Sequence, residues 1–440
     1  MTIKTRKKRS IVDISIKFII LINISIIIYL IYKSEIYFKG LNRTNYIPYY
    51  FISSTLFLVL LIIYKLSKKF KTYFLIIFFS VLTPIYIFEI ILNLGLLKNI
   101  GNEKRIKLYY KNEKKIYDER SKKEVFIEAF KKDNSSSIPL SKIVFKIENK
   151  KFFSLAGIAN SKTIFCNENG YYSEYLSDKY GFNNPDREWN EEEINMLLLG
   201  DSFVHGACVN YPHDIGSVLR KISQQSVLNL GFRGNGPLMN YATLKEYFPE
   251  KVKKILWFYY EGNDLTDLNV NKKNKVLQNY LLNDDYKQNL KNYQAEIDDA
   301  TRNKILTALN TRNYINYKYI LTLYNIRMLI KKNISNADNE NLNDFFEILK
   351  KAKKFADVNN SEFYLVYLPT YKRYIGDFNN KNYEKIIKFS KKNKIFLIDI
   401  HKDVFFEKES PKNLFPFGMG GHYNIEGYNL TASYIFNKIN

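Results

Sequence analysis

Three long apolar runs crowd the first hundred residues, and they constrain the fold of this chain more than any other feature. They cover about residues 14–32, 46–64 and 72–94, and a helix needs roughly 20 residues to cross a bilayer. A cleavable signal peptide is the alternative for the first run, but two more runs follow at once and no small-residue cleavage site closes it. The sequence therefore predicts a three-span transmembrane region in residues 1–100.

Basic residues beside these runs predict their orientation. The N-terminal tail carries five Lys and Arg between residues 4 and 9, and the loop after the second run carries four Lys. The loop between the first two runs carries only three basic residues. Since Lys and Arg in short loops favour the cytoplasmic side, we expect a cytoplasmic N-terminus. Three spans then place the C-terminal domain outside the cytoplasm, in a periplasm or on the outer face.

Net charge is explained by this topology. The first hundred residues hold 14 Lys and Arg against 3 Asp and Glu, so they contribute +11 of the chain's +23. A basic and apolar N-terminus indicates a membrane protein, and no nucleic-acid-binding module is recognisable. We therefore expect the protein to bind the lipid bilayer and not to bind nucleic acid.

One acidic residue, Glu89, lies near the end of the third run. It is either a helix-end residue at the membrane interface or a buried polar group inside the membrane. We favour the interface, because the uncharged part of the run is almost long enough to span alone.

The remaining chain changes its pattern at about residue 191. Residues 101–190 are polar and mixed, and we interpret them as a lead-in subdomain with a helix near 118–132 and two strand-like runs. Residues 191–440 alternate short apolar strands with amphipathic helices, which is typical of a parallel sheet covered on both faces. Residues 270–340 form a charged helical insertion whose role is open; a lid over the site is one alternative. The predicted strands cover residues 194–200, 226–231, 254–260, 362–368 and 394–400.

Polar residues that could carry chemistry follow these strands or precede the last helix. Ser202 follows the first strand, Gly234 the second and Asn263 the third, while His422 precedes the final helix. Parallel sheets place their active sites at the carboxyl ends of the strands, so these groups could converge. Ser202 could attack a carbonyl with His422 as its base. The N–H groups of Ser202 and Gly234 and the side-chain amide of Asn263 could stabilise the oxyanion.

These motifs resemble the SGNH, or GDSL, hydrolase superfamily. Gly200-Asp201-Ser202, Gly234, Gly262-Asn263-Asp264 and His422 occur in that family's order over about 250 residues. The resemblance implies a flavodoxin-like three-layer α/β/α fold and ester hydrolysis or acyl transfer. It also implies Ser202 as the nucleophile, His422 as the base, and Gly234 and Asn263 as oxyanion donors beside Ser202.

One position departs from the family pattern. The family usually has an Asp three residues before its His, and here that position is Met419. Either a backbone carbonyl or another acid orients His422, or the enzyme is weak or inactive. Asp399, which ends the fifth predicted strand, is a less favoured candidate for the replacement acid, because we favour a structural role for it.

The two cysteines, Cys166 and Cys208, both fall in the part predicted to be extracytoplasmic. An oxidising compartment permits a disulfide between them, which would tie the lead-in subdomain to the loop after Ser202; two buried free thiols are the alternative. Two Cys and scattered His give no plausible zinc site, and no nucleotide-binding glycine loop is found. We therefore expect no metal and no cofactor.

The sequence supports two functions of different classes. The first is a membrane-anchored serine esterase or O-acyltransferase that acts on ester groups, O-acetyl above all, of an envelope or extracellular glycan. A transferase would need a separate membrane partner to deliver acyl groups. The alternative is a catalytically degenerate domain that binds glycan or scaffolds polysaccharide assembly; Met419 favours it, and the intact Ser202 and His422 oppose it.

Overall fold

The computed structural model describes residues 10–40, 43–95, 99–310, 317–334, 338–376, 378 and 381–440. Within them the chain divides into two compact units. The first contains the described residues of Met1–Leu97 and Ile315–Lys332, and the second those of Lys98–Tyr314 and Asn333–Asn440. The basic tail at residues 4–9, on which the predicted orientation partly rests, lies outside the described residues.

Three long helices build the first unit, as the apolar runs predict. They are α1 (Ile11–Ile31, continued by a π-helical turn to Tyr37), α2 (Arg43–Lys65) and α3 (Lys68–Asn93). Each is long and apolar enough to cross a membrane, and most of their large apolar side chains are exposed. The short helix α12 (Tyr317–Leu321) and most of α13 (Tyr324–Ile334) also belong to this unit.

The lead-in subdomain consists of two helices and two antiparallel hairpins. The helices are α4 (Asn99–Glu113) and α5 (Lys122–Lys132), and Ser121 with Glu124 forms a capping box that fixes the start of α5. The hairpins pair β1 with β2 and β3 with β4. These four strands are β1 (Val144–Ile147), β2 (Lys150–Phe153), β3 (Lys162–Ile164) and β4 (Glu174–Leu176).

A five-stranded parallel sheet forms the centre of the second unit and confirms the predicted fold class. All neighbouring strands pair in parallel, in the order β6-β5-β7-β8-β9. The strands are β5 (Ile194–Leu199), β6 (Val227–Asn229), β7 (Val252–Tyr260), β8 (Glu362–Leu368) and β9 (Phe396–Asp399).

Helices cover both faces of this sheet because alternate residues of each strand point to opposite sides. In β5, Leu197 and Leu199 belong to one buried cluster while Met196 and Leu198 belong to the other. The first cluster includes residues of α8 (Pro237–Tyr247), α14 (Asp338–Val358) and α15 (Tyr383–Lys392), and the second includes residues of α7 (Ile215–Ser223) and α16 (Ile425–Ile439).

The strand order sets the place of the site. Strand β5 lies between β6 and β7, so the chain reverses its direction across the sheet beside β5. Ligands of open parallel sheets bind at the carboxyl ends of strands beside such a reversal. The short α6 (Ser202–His205) follows β5, and α9 (Asp264–Asn271) follows β7. Two further helices of the insertion, α10 (Lys275–Leu282) and α11 (Gln294–Asn310), continue from α9.

A buried carboxylate, Asp178, organises the chain between β4 and β5. It accepts hydrogen bonds from the backbone N–H groups of Tyr180 and Phe182, both at 2.9 Å. It also accepts from the Asn184 Nδ2 at 2.8 Å and the Trp189 Nε1 at 2.7 Å. Burial raises the pKa of this carboxyl to about 6. The four hydrogen bonds that this carboxylate accepts hold the segment that leads into the sheet.

Replacing Asp178 tests this contribution to stability. We expect Asp178→Ala to lower the free energy of unfolding by about 3 kcal/mol, because several buried donors lose their acceptor. Thermal unfolding of the full chain in detergent measures the change, with the exposed Glu192→Ala as control. An Asp178→Ala protein as stable as the Glu192→Ala protein would contradict the assignment.

Candidate active site

Ser202 stands at a tight turn between β5 and α6. The preceding Asp201 caps α6, and its side chain accepts from the Phe203 N–H at 2.9 Å. Glycine is required at position 200, because a Cβ there would lie 2.4 Å from a methyl of Val204. The turn therefore presents the Ser202 hydroxyl at the carboxyl end of the sheet.

The imidazole of His422 reaches this hydroxyl from the loop before α16. Its Nε2 lies 2.8 Å from the Ser202 Oγ, a hydrogen-bond distance suited to proton transfer. The ring packs against Phe203, with 4.8 Å between ring centroids. The structure thus brings together the two residues that the sequence pairs as nucleophile and base.

An acid that sequence reasoning missed, Glu168, lies behind the imidazole. Its Oε1 and Oε2 are 3.1 and 3.2 Å from the His422 Nδ1, and Oε2 also accepts from the His422 backbone N–H at 2.6 Å. Glu168 belongs to the loop between β3 and β4, in the lead-in subdomain. A Cβ at Gly421 would lie 2.5 Å from the Glu168 carboxylate, so glycine makes room for it.

Neither Met419, which stands at the family's Asp position, nor Asp399, the less favoured candidate acid, contacts the imidazole in the hydrogen bonds of the described residues. The Met419 backbone N–H donates to the Pro416 carbonyl at 3.0 Å. The Asp399 carboxylate accepts from the Tyr383 hydroxyl at 2.5 Å and from the Lys402 N–H at 3.0 Å. Asp399 therefore has the structural contacts that we favoured for it, and of the alternatives left open for His422, Glu168 matches the one in which another acid orients the imidazole.

Electrostatics favour an ionised acid beside a more basic imidazole. Burial lowers the pKa of His422, but the charge of Glu168 and its hydrogen bond outweigh burial, so the net pKa lies above the ordinary value. For Glu168, burial raises the pKa, and the charge and hydrogen bonds of His422 bring it below the ordinary value. With Nδ1–H donating to Glu168, Nε2 is left to accept the Ser202 proton.

Covalent and polar contacts hold the loop that carries Glu168. Cys166 and Cys208 form a disulfide, which joins this loop to the segment after α6. The Asn169 side chain donates to the Cys208 carbonyl at 2.9 Å, and the Arg105 guanidinium donates to the Glu168 carbonyl at 3.4 Å. Cys208 Sγ lies 3.9 Å from the His422 Nδ1, but its bond to Cys166 removes the thiolate that a metal would need.

The three predicted oxyanion donors follow adjacent strands. Ser202 follows β5, Gly234 lies in the loop after β6 with φ 73°, and Asn263 immediately precedes α9 after β7. One N–H of the Asn263 side-chain amide donates to Asp267 at 2.9 Å, which leaves the second for a ligand. Burial raises the pKa of Asp267 to about 6, while the charge of Lys142 opposes the rise. The role of Ser202, Gly234 and Asn263 as oxyanion donors stays a prediction.

Two further carboxyls, Asp201 and Asp264, are buried beneath the site. Burial raises the pKa of Asp201, and burial together with the charge of Asp201 raises that of Asp264. Asp264 accepts from the Tyr260 N–H at 3.0 Å. Both side chains accept hydrogen bonds from backbone N–H groups, which indicates a structural role.

His205 fixes the loop that contains Gly234. Its Nδ1 accepts from the Arg233 backbone N–H at 3.1 Å, and its Nε2 lies 2.7 Å from the Tyr175 hydroxyl. Burial lowers the pKa of His205 well below the ordinary value, so the ring stays neutral and supports the loop.

Cations gather on the Gly234 side of the site. The Lys142 ammonium donates to the Gly234 carbonyl, and the exposed Arg233 donates from its guanidinium to the Pro139 carbonyl at 3.4 Å. Burial, and then the charge of Arg233, lower the pKa of Lys122 to about 7. Among the described residues, no carboxylate forms an ion pair with any of these three cations.

Comparisons with known proteins give structural likenesses only. No family model matches the chain, and no curated protein matches it. A protein of the G-D-S-L family from Desulfitobacterium hafniense DCB-2 is 17% identical, with TM-score 0.33, over 56% of this chain and 99% of its own. The acetyl xylan esterase AlAXEase is 13% identical, with TM-score 0.34, over 56% of this chain and 100% of its own.

A third solved structure is the psychrotrophic esterase EstA from Pseudoalteromonas sp., inhibited by monoethylphosphonate. It is 12% identical, with TM-score 0.28, over 56% of this chain and 97% of its own. All three TM-scores are below 0.5, so these likenesses assign no activity to this chain.

Removing the charge of Glu168 tests its position behind His422. We expect Glu168→Gln to lower kcat/KM for an ester about 100-fold or more, because the imidazole loses its orienting carboxylate. His422 must be neutral to accept a proton, so kcat/KM rises with pH through its pKa. That acidic limb lies above the ordinary histidine value in the wild type and moves to lower pH in the variant. A pH–rate profile of both proteins measures the shift.

Glu174→Gln is the matched control, because Glu174 lies on the same hairpin in an exposed ion pair with Lys162. Its rate and pH profile should match the wild type. A Glu168→Gln profile identical to that of Glu174→Gln would exclude Glu168 from the site.

Proposed function

We propose that this chain is a membrane-anchored serine esterase or O-acyltransferase that acts through an acyl-enzyme on ester groups of an envelope or extracellular glycan. The observation that carries the proposal is the 2.8 Å contact between the Ser202 Oγ and the His422 Nε2, with Glu168 on the other ring nitrogen. Together these side chains supply a nucleophile, a base and an orienting carboxylate.

The proposed reaction follows from this geometry. The Ser202 Oγ attacks the ester carbonyl carbon while the His422 Nε2 takes the hydroxyl proton. N–H groups of Ser202, Gly234 and Asn263 stabilise the oxyanion. The intermediate collapses as His422 returns the proton to the departing alcohol, which leaves an acyl group on Ser202.

The second half of the reaction decides between hydrolase and transferase. Water activated by His422 releases a free acid, whereas a sugar hydroxyl in the same place forms a new ester. Both outcomes use the same acyl-enzyme, and a transferase would receive its acyl groups from a membrane partner. The three helices long enough to span a membrane support an envelope location, with the catalytic domain outside the cytoplasm.

Charge near the site favours an acidic polymer among envelope glycans. Arg233 and Lys142 flank Gly234, and Lys122 lies near enough to Arg233 for their charges to interact. Arg233, whose guanidinium donates to the Pro139 carbonyl and pairs with no carboxylate among the described residues, can stabilise a bound anion. We therefore propose a substrate that carries carboxylate or phosphate groups close to its ester.

Arg233→Gln tests the proposed preference for charge. We expect KM to rise about tenfold for an O-acetylated uronic-acid oligosaccharide, because a charge-assisted hydrogen bond is lost. The KM for p-nitrophenyl acetate, which is neutral, should not change. Arg187→Gln is the control, since Arg187 is exposed and faces Glu188. Equal effects of Arg233→Gln on the charged and neutral esters would contradict a role in charge recognition.

Ser202→Ala tests the proposed nucleophile. The full-length protein in detergent is treated with a fluorophosphonate probe and assayed with p-nitrophenyl acetate. We expect the wild type to be labelled and to turn over the ester, and the variant to lose both, because Ala has no attacking oxygen. Ser223→Ala, on α7, is the control.

Two results would contradict the proposal. Labelling that persists in Ser202→Ala places the nucleophile elsewhere. A folded wild type that is neither labelled nor active supports instead the glycan-binding or scaffold alternative.

A further inference from the structure

The insertion after β7 returns the chain to the first unit. Residues 317–332 follow Ser202 by more than a hundred positions, yet they cluster with α1–α3 and not with the sheet. The chain then leaves this unit again and enters α14. The insertion therefore contributes to the unit that holds the three candidate membrane helices.

A fully buried carboxylate, Glu89 of α3, receives the start of α13. Glu89 has 0% of its side chain exposed. Its Oε1 accepts from the Asn325 backbone N–H at 2.9 Å and from the Asn325 Nδ2 at 2.8 Å, and its Oε2 accepts from the Ile326 N–H at 2.9 Å. The first N–H groups of a helix have no partner within the helix, and a carboxylate is favoured there by the helix dipole.

These three hydrogen bonds explain how the apolar helix α3 accommodates a buried acidic residue. A carboxylate in an apolar helix is costly unless its oxygens are paired, and α13 supplies the donors. The side chain is thus buried against protein, and its position at the membrane interface, which the sequence favours, stays a prediction.

Two weaker contacts also join the insertion to the long helices. The Tyr86 hydroxyl of α3 donates to the Leu321 carbonyl of α12 at 3.4 Å. The Arg327 guanidinium of α13 lies 5.7 Å from the ring centroid of Tyr49 in α2. The insertion thus touches two of the three long helices.

The segment exposes several large apolar side chains. Leu321 is 72% exposed and Ile330 is 51% exposed. The other exposed apolar residues of the segment are Tyr317, Tyr319, Met328 and Leu329. Many large apolar side chains of α1–α3 are exposed as well, and a bilayer would cover exposed side chains of this kind.

The charges of the segment are all of one sign. Residues 317–332 contain Lys318, Arg327, Lys331 and Lys332 and no Asp or Glu. Apolar and aromatic side chains mixed with Lys and Arg are typical of helices that lie in the headgroup region, where anionic lipids attract the basic residues.

We propose that residues 317–332 form a fourth membrane element, an interfacial segment that binds the lipid surface beside α3 and is fixed there by Glu89. The occupant of its exposed apolar side is an anionic bilayer. This proposal does not depend on the catalytic one, because it concerns different residues in a different unit.

Fluorescence quenching tests the proposal on the full chain in vesicles containing phosphatidylglycerol. An environment-sensitive dye is attached to Leu329→Cys, and the native cysteines are occupied by their disulfide. We expect spin-labelled lipid to quench the dye about threefold and aqueous iodide to have little effect, since interfacial helices bury their apolar side in the headgroup boundary. Ile77→Cys, on the exposed side of α3, is the positive control.

Glu89→Ala then tests the anchor. We expect lipid quenching at position 329 to fall at least twofold, because the start of α13 loses its acceptors. Glu35→Ala, which removes an exposed carboxylate paired with Arg43 in the same unit, should leave it unchanged. Equal quenching in both variants would exclude Glu89 as the anchor.

Other results would overturn the lipid assignment. A dye at position 329 that iodide quenches as well as free dye, in otherwise wild-type protein, means that the segment is in water. A dye shielded from both quenchers, with cross-links between two copies through this position, means that a second chain covers the surface.

Discussion

The contact between Glu168 and His422 is the interaction on which the proposed activity depends. Ser202 and His422 alone would leave the imidazole free to rotate and to take either tautomer. A carboxylate on Nδ1 fixes both, and the 2.6 Å bond to the His422 backbone N–H fixes the loop as well. Glu168 also raises the pKa of His422, so one side chain both orients the imidazole and makes it more basic.

This contact makes the lead-in subdomain part of the site. Glu168 and His422 are 254 residues apart in sequence, and the disulfide between Cys166 and Cys208 is placed two residues from Glu168. His205 and Arg233 join the same subdomain to the loop of Gly234, through Tyr175 and the Pro139 carbonyl. Residues 101–190 therefore contribute to the candidate active site.

The sheet and half of the site could be predicted from the sequence because both follow local rules. Apolar strands that alternate with helices predict a parallel sheet, and the turns after its strands predict where Ser202, Gly234 and Asn263 lie. Glu168 follows no such rule, since it lies in a hairpin loop and its partner is distant. The available clue was indirect: Met419 implied a missing acid, and the possible disulfide placed Cys166, and hence Glu168, near the Ser202 loop.

Glu89 shows the same limit in the first unit. Its position in an apolar run indicated a polar group that required an explanation, but the partner that satisfies it lies 236 residues away in a charged insertion. Periodicity cannot reveal a contact between two segments of such different composition.

The most direct measurement of the central claim is an experimental structure of the full chain after reaction with a fluorophosphonate. Our account predicts a covalent bond from the Ser202 Oγ to phosphorus, with the phosphonyl oxygen within hydrogen-bond distance of the Gly234 N–H and the Asn263 side chain. It also predicts that the Glu168 carboxylate remains on the His422 Nδ1. An adduct on another residue, or a Glu168 carboxylate turned away from the imidazole, would contradict the account.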